Sequence, residues 1–204
     1  MAEIYRADHL GSLLRPHEIK EARHAFHNGD IGREQLSEAE DKAILKVLEC
    51  QQQIGLTVLS DGEFRRSSFQ NDLAESVEGY VTSDRPSVVR IWQGPGDEPK
   101  EQGVTLVVGG QRKPWRRLTG EQTAFLKAHA SGPFKMTVPS PNQFPAISYQ
   151  PGLTDRFYVT RSDLLWAIVE IIKAEISALA EEGVSYIRMD APRYSYYVVS
   201  AELL

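Results

Sequence analysis

Leu56-Thr57-Val58-Leu59-Ser60-Asp61-Gly62-Glu63-Phe64-Arg65-Arg66 is the stretch on which the reading of this chain turns. A compact, largely apolar run at 56–60 breaks off in an acidic turn centred on glycine. That is the pattern of a buried strand handing carboxylates to the loop at its C-terminal end. In sheets of parallel strands, this is the end at which side chains meet ligands.

Upstream, Leu36, Ala39, Ala43, Ile44, Val47, Leu48 and Ile54 recur at the spacing of one helical face, and Gly55 stops the helix. The break at Asn28-Gly29-Asp30 separates it from a helix opened by Pro16. Residues 3–9 read as a short strand that delivers Asp8 and His9 to the tight turn at Gly11-Ser12. Downstream the texture changes between Gly79 and Gly110. Gly94-Pro95-Gly96 lies between Val88-Val89-Arg90-Ile91-Trp92 and Val104-Thr105-Leu106-Val107-Val108, which predicts a hairpin insertion over 79–110 with a loose tip. Thr119 is placed to cap a helix through Ala128, and Phe134 to Val138 form a strand stopped by Pro139-Ser140-Pro141. Thr160 and Asp163 make a capping box for a helix whose buried face is Leu164, Leu165, Ile168, Val169, Ile172, Ile176 and Leu179, ending at Gly183. Ser185 to Asp190 supply a last strand.

Strands near 3–9, 56–60, 134–138 and 184–190, separated by helices, favour parallel pairing through crossovers. The expected fold class is α/β, the first four or so β/α units of a (β/α)8 TIM barrel with a β-hairpin-like insertion. A closed barrel needs eight strands and about 250 residues, so such a half leaves an unpaired edge.

The 204 residues are 41% hydrophobic and 25% charged, the composition of a folded globular chain. A net charge of −5, with no basic stripe, argues against nucleic acid as a partner. No basic leader precedes an apolar run, and no stretch approaches the ~18 apolar residues of a membrane span, so a cytoplasmic location without membrane partners is expected. Cys50 is the only cysteine, which excludes an internal disulfide and a zinc site built on several thiolates of this chain. Beside Val47, Leu48 and Ile54 it reads as a packed thiol.

Several phrases, in order, resemble the short single-barrel members of the cobalamin-independent methionine synthase family. They are Arg6-Ala7-Asp8-His9-Leu10-Gly11-Ser12-Leu13-Leu14-Arg15-Pro16 and Ser60-Asp61-Gly62-Glu63-Phe64-Arg65-Arg66. Phe125-Leu126-Lys127-Ala128-His129, Lys135-Met136-Thr137-Val138-Pro139-Ser140-Pro141 and Tyr186-Ile187-Arg188-Met189-Asp190 continue the series. The resemblance covers essentially the whole chain and implies that 1–204 is the N-terminal half of such a barrel. It implies a homocysteine S-methyltransferase in which zinc holds the sulfur as thiolate and a methyl-folate donates the methyl group. The zinc ligands of that family, a histidine and cysteines with a glutamate, belong to the second half of the barrel. Zinc is therefore expected from missing sequence or a partner chain, and the isolated chain is expected to be inactive.

The resemblance assigns the substrate carboxylate to Leu10, Gly11 and Ser12. Glu63 and Asp190 are placed to meet its ammonium group. Read without it, Gly11-Ser12 is an ordinary strand-to-helix turn, and Glu63 and Asp61 form internal ion pairs with Arg65 and Arg66. Where relatives carry an acidic residue after the fourth-strand aspartate, Asp190 is followed here by Ala191-Pro192. Tyr194-Ser195-Tyr196-Tyr197 resembles the loop beyond that strand. His9 reads equally as a proton carrier or as a structural imidazole bonded to Asp8. His24 and His27 read as a solvated helical face, so no metal ligand is assigned within the chain. Arg65 and Arg66, with Trp115 farther on, are candidate donor or anion contacts for a folate's carboxylates and ring.

Two other functions compete. One is a non-catalytic half-barrel that self-associates or pairs with a separate C-terminal half. The other is a transferase acting on a different thiol, such as coenzyme M.

Overall fold

A computed structural model of the chain describes residues 9–66, 71–92 and 100–192. Apart from His9, the strand expected at 3–9 lies outside the described residues, as do the hairpin tip at 93–99 and Tyr194–Tyr197. The chain divides into two compact units. One comprises the chain up to Asp72 with Thr119–Val138 and Ala178–Arg188; the other comprises Leu73–Leu118, Pro139–Ser177 and the chain from Met189.

In the first unit, α1 (His17–Asn28) begins after Pro16 and ends at Gly29, whose φ of 81° accepts the left-handed turn that closes the helix. The next helix, α2 (Arg33–Gln53), starts where the Gly32 N–H donates to the Gln35 side chain at 2.9 Å. Its buried stripe is Leu36, Glu40, Ile44, Leu48 and Gln51, with Ala43 beside it. The neighbouring stripe leaves the core towards the helix C-terminus: Val47 is half-buried, and Cys50 and Ile54 are exposed. Cys50 is therefore not the packed thiol that its apolar neighbours suggest.

The inward position goes to Gln51, which is buried. Among the described residues Leu56–Ser60 makes a single parallel bridge, Leu59 to Phe134, in which the Leu59 N–H donates to the Pro133 carbonyl and the Lys135 N–H to the Leu59 carbonyl, both at 2.9 Å. One residue on, the Gln51 amide replaces a strand partner: its Nε2 donates to the Ser60 carbonyl at 2.8 Å, and its Oε1 accepts the Ser60 N–H at 3.0 Å. The parallel sense expected of this segment is present in that bridge.

In the second unit, α3 (Asn71–Ser76, its first residues in the first unit) leads into an antiparallel hairpin built in two tiers. Tyr80–Thr82 (β1) pairs with Leu106–Val108 (β4), and Val88–Trp92 (β2) pairs with Lys100–Val104 (β3). The return strand thus starts at Lys100 rather than at Val104. Thr105 divides it, its carbonyl accepting the Ser83 N–H at 2.8 Å, and Leu106–Val108 steps on to the lower tier. Val107 and Val108, on opposite faces of β4, are both fully buried.

Three further helices follow: α4 (Gly120–His129) after Thr119, α5 (Gln143–Ser148) and α6 (Arg161–Glu181). The capping box of α6 is formed, with the Thr160 N–H donating to Asp163 Oδ2 at 2.8 Å and the Asp163 N–H to Thr160 Oγ1 at 3.1 Å. Leu164, Ile168, Ile172 and Leu179 are its buried line, and Leu165, Val169 and Ile176 flank it half-buried. The strands β5 (Lys135–Pro139) and β6 (Tyr186–Asp190) pair with each other, and every residue of β5 is buried.

Asp163→Ala removes the acceptor for the Thr160 N–H and a favourable charge at the helix N-terminus. It is expected to cost about 1 kcal/mol, read as a lower urea midpoint at unchanged slope.

Candidate functional site

The turn after Leu59 lies in the first unit and is built to hold carboxylates out of water. Ser60, Asp61 and Glu63 are all buried, Glu63 to 4% exposure. Gly62 and Glu63 adopt successive left-handed conformations, φ 65° and 58°, and for a non-glycine residue this costs about 1–2 kcal/mol. Local hydrogen bonds offset that cost. The Glu63 N–H donates to Asp61 Oδ1 at 2.9 Å and the Gly62 N–H to Ser60 Oγ at 3.2 Å. A Cβ at Gly62 would stand 3.0 Å from the Phe64 ring and 3.2 Å from Leu13 Cβ, so the position requires glycine on two counts.

The second component is the loop His9–Leu13. Ser12 Oγ donates to Glu63 Oε2 at 2.6 Å, and the Leu13 N–H donates to the Gly62 carbonyl at 3.1 Å. His9 Nε2 lies 2.6 Å from Ser60 Oγ, so within the described residues its imidazole is tied to the turn. Glu63 is therefore anchored through one oxygen only. Its Oε1 has no hydrogen-bond partner among the described residues, and Arg66 Nη1 is 3.9 Å away. A buried carboxylate with one oxygen hydrogen-bonded and the other held only by an ion pair at 3.9 Å retains the capacity to accept a hydrogen bond from a further cationic group.

The main chain beyond the turn is held by arginines. Arg15 donates to the carbonyls of Glu63 at 3.1 Å and Arg66 at 2.7 Å. Arg23 donates to those of Arg66 at 2.9 Å and Phe64 at 2.5 Å, and Arg66 to that of Thr137 at 2.8 Å. Burial, and then the like charge of Arg23, hold the Arg15 guanidinium below its ordinary pKa, while Glu63 pulls the other way. Arg65 turns aside into an ion-pair cluster with Asp41, Glu121 at 3.5 Å and Glu40 at 3.9 Å, its guanidinium 4.9 Å over the Phe125 ring. Of the ion pairs read between Glu63, Asp61 and the two arginines Arg65 and Arg66, the one present among the described residues is Glu63 with Arg66 at 3.9 Å, whereas Arg65 pairs with helix carboxylates.

Of the other candidates, Gly11 has φ 70° and Leu10 is 73% exposed. Asp190 is half-buried at the end of β6, in the second unit, where its carbonyl accepts the Ser140 N–H at 2.8 Å. His24 and His27 are exposed, His24 lying 3.3 Å from the Asn28 amide. Trp115 is 62% exposed beside Arg116.

Two residues outside the sequence candidates, Lys135 and Arg188, also reach the loop. Lys135, buried at the head of β5, donates through Nζ to the His9 carbonyl, and Arg188 Nη1 of β6 donates to the same atom at 3.4 Å. A lysine opening an otherwise apolar strand was the available signal.

The described residues hold no group of three histidine, cysteine or acidic side chains able to grip a metal, and the sole thiol, Cys50, is exposed on α2. They do not fit the zinc centre that the resemblance implies. No helix among the described residues is long and apolar enough to cross a membrane.

Residues 7–202 match the family model for the catalytic domain of cobalamin-independent synthase. Among curated relatives, the Bacillus subtilis protein YxjH is 28% identical over 193 residues, 95% of this chain and 49% of its own length. The methionine synthase of Sulfolobus acidocaldarius is 27% identical over 185 residues, 90% of this chain and 50% of its own. A solved Listeria monocytogenes structure, described as a vitamin-B12-independent methionine synthase, superposes with a TM-score of 0.66 at 29% identity. That match covers 98% of this chain and 56% of the other. The chain thus spans about half the length of the curated relatives it matches.

Burial holds the Glu40 carboxyl above the usual carboxylate range, outweighing the pull of Arg23 at 3.1 Å. The folded chain binds that proton more tightly than the unfolded one. This contribution is therefore fullest at low pH and is lost as pH rises through the raised value. The melting temperature of the wild type minus that of Glu40→Gln is expected to fall as pH rises through and above the ordinary carboxylate range; a difference that stays flat with pH would refute the assignment.

Proposed function

Because the chain belongs to the cobalamin-independent methionine synthase family, matching its catalytic-domain model over residues 7–202, we propose that it supplies the amino-acid pocket of a homocysteine S-methyltransferase. In the net reaction the substrate thiol loses its proton and its sulfur gains a bond to the methyl carbon, while the carbon–nitrogen bond of a methyl-folate donor breaks and that nitrogen takes up a proton. In this reading the chain is the first four or so units of a TIM barrel, with 79–110 inserted as a hairpin.

The observation that carries the proposal is Glu63, buried, fixed by Ser12 at 2.6 Å, with an Oε1 that is ion-paired to Arg66 at 3.9 Å and accepts no hydrogen bond among the described residues. An α-amino acid needs one group for its ammonium and another for its carboxylate. Glu63 serves the first, and the main-chain N–H groups of the turn at Leu10, Gly11 and Ser12 serve the second. The same carboxylate favours an amino-acid thiol over coenzyme M, which has no ammonium group to meet it. Asp190 is a further candidate for the ammonium, by resemblance alone. The described residues offer nothing to hold a thiolate, so no step of the transfer is assigned to them.

A second reading follows from the half-length match. The pocket half is non-catalytic by itself and works with a second chain, either a copy of itself or a separate C-terminal half carrying the metal.

Calorimetric titration with homocysteine tests the first reading. Glu63→Gln is expected to weaken binding roughly tenfold or more, the value of a charge-assisted hydrogen bond of about 1.5–3 kcal/mol; unchanged affinity would remove Glu63 from the pocket. The purified chain alone is expected to retain no stoichiometric zinc and to transfer no methyl group. One bound zinc per chain by elemental analysis would contradict this.

A further inference from the structure

We propose that Lys135 and Arg188 are positioning residues that orient the Leu10-Gly11-Ser12 turn through the His9 carbonyl, making the pocket select a thiol that carries a carboxylate. The inference rests on the amino-acid reading above and assigns the carboxylate preference to two side chains outside the turn.

The argument begins with the peptide unit joining His9 to Leu10. A peptide is planar and, here, trans, so its C=O and N–H point in opposite directions. Lys135 Nζ and Arg188 Nη1 both donate to the His9 carbonyl. Fixing that oxygen fixes the direction of the Leu10 N–H, which points away from the two cations. Among the described residues no acceptor takes the N–H of Leu10, Gly11 or Ser12, whereas the next, that of Leu13, is bound to Gly62. A left-handed residue such as Gly11, φ 70°, lets successive N–H groups converge on an anion. The loop is thus held at both ends, by two cations at His9 and by Gly62 at Leu13, with three donors between.

The anchors come from the most constrained part of the unit. Lys135 is 4% exposed on a strand buried throughout, and Arg188 lies on the strand paired with it. Two positive charges on one carbonyl also raise the potential at the turn, which favours a carboxylate and gives nothing to a ligand without one.

The test compares two ligands sharing thiol and ammonium: homocysteine, and 3-aminopropane-1-thiol, which lacks the carboxylate. Lys135→Met is expected to weaken homocysteine roughly tenfold while leaving 3-aminopropane-1-thiol within about twofold, and Lys135→Arg to restore most of the loss. Arg188→Gln, on a half-buried residue, is expected to show the same selective loss at roughly threefold and serves if Lys135→Met does not fold. Equal losses for both ligands in a folded variant, or no loss for either, would overturn the inference. Glu63→Gln separates the two readings, because it should weaken both ligands. If wild type binds neither, the amino-acid reading falls and takes this one with it. If wild type binds, Glu63→Gln weakens both ligands and Lys135→Met changes nothing, only the positioning role is lost.

Discussion

A buried main chain that leaves its sheet must still satisfy every N–H and C=O, because each unpaired group costs free energy comparable to a lost hydrogen bond. Segment 60–66 meets that demand with side chains. Gln51 takes both polar groups of Ser60, Arg15 and Arg23 take the carbonyls of Glu63, Phe64 and Arg66, and Ser60 and Asp61 take the N–H groups of Gly62 and Glu63. Because these donors come from the loop before α1, from α1 and from α2, the helical hairpin and the acidic turn are set by the same bonds. The left-handed Glu63 is affordable only inside that frame.

Most of the architecture could be read from apolar spacing and punctuation. The stripe from Leu36 to Leu48, the Thr160–Asp163 box and the strands at 135–139 and 186–190 each repeat one strong local rule, and local rules survive tertiary context. The misreadings share a cause. Cys50 and Gln51 are neighbours on α2, and hydropathy favours the cysteine for the core, but only a glutamine can both donate to and accept from the Ser60 main chain. The hairpin register slipped because valines at 104, 107 and 108 look like one strand, and no pattern in single residues reveals that Thr105 divides the pairing.

The site was legible to a similar extent. The turn at 60–63 announced itself by ending an apolar run in acidic residues, and Ser12 and Glu63 meet although 51 positions separate them. Lys135 and Arg188 stayed hidden because their partner is a carbonyl, which is the same at every residue and leaves no mark in a sequence. Arg65 shows the opposite error. A charge next to a candidate site suggests a ligand contact, yet its guanidinium is engaged with Asp41, Glu121 and an aromatic face.

The emergence of Cys50 from the core has a practical side. The chain's one thiol stands on the outer flank of α2 while the adjacent residue, Gln51, reaches the Ser60 turn. A maleimide fluorophore would therefore attach at one defined place, a single helical step from the hydrogen bonds that shape the pocket, and report on the turn without replacing any residue in it.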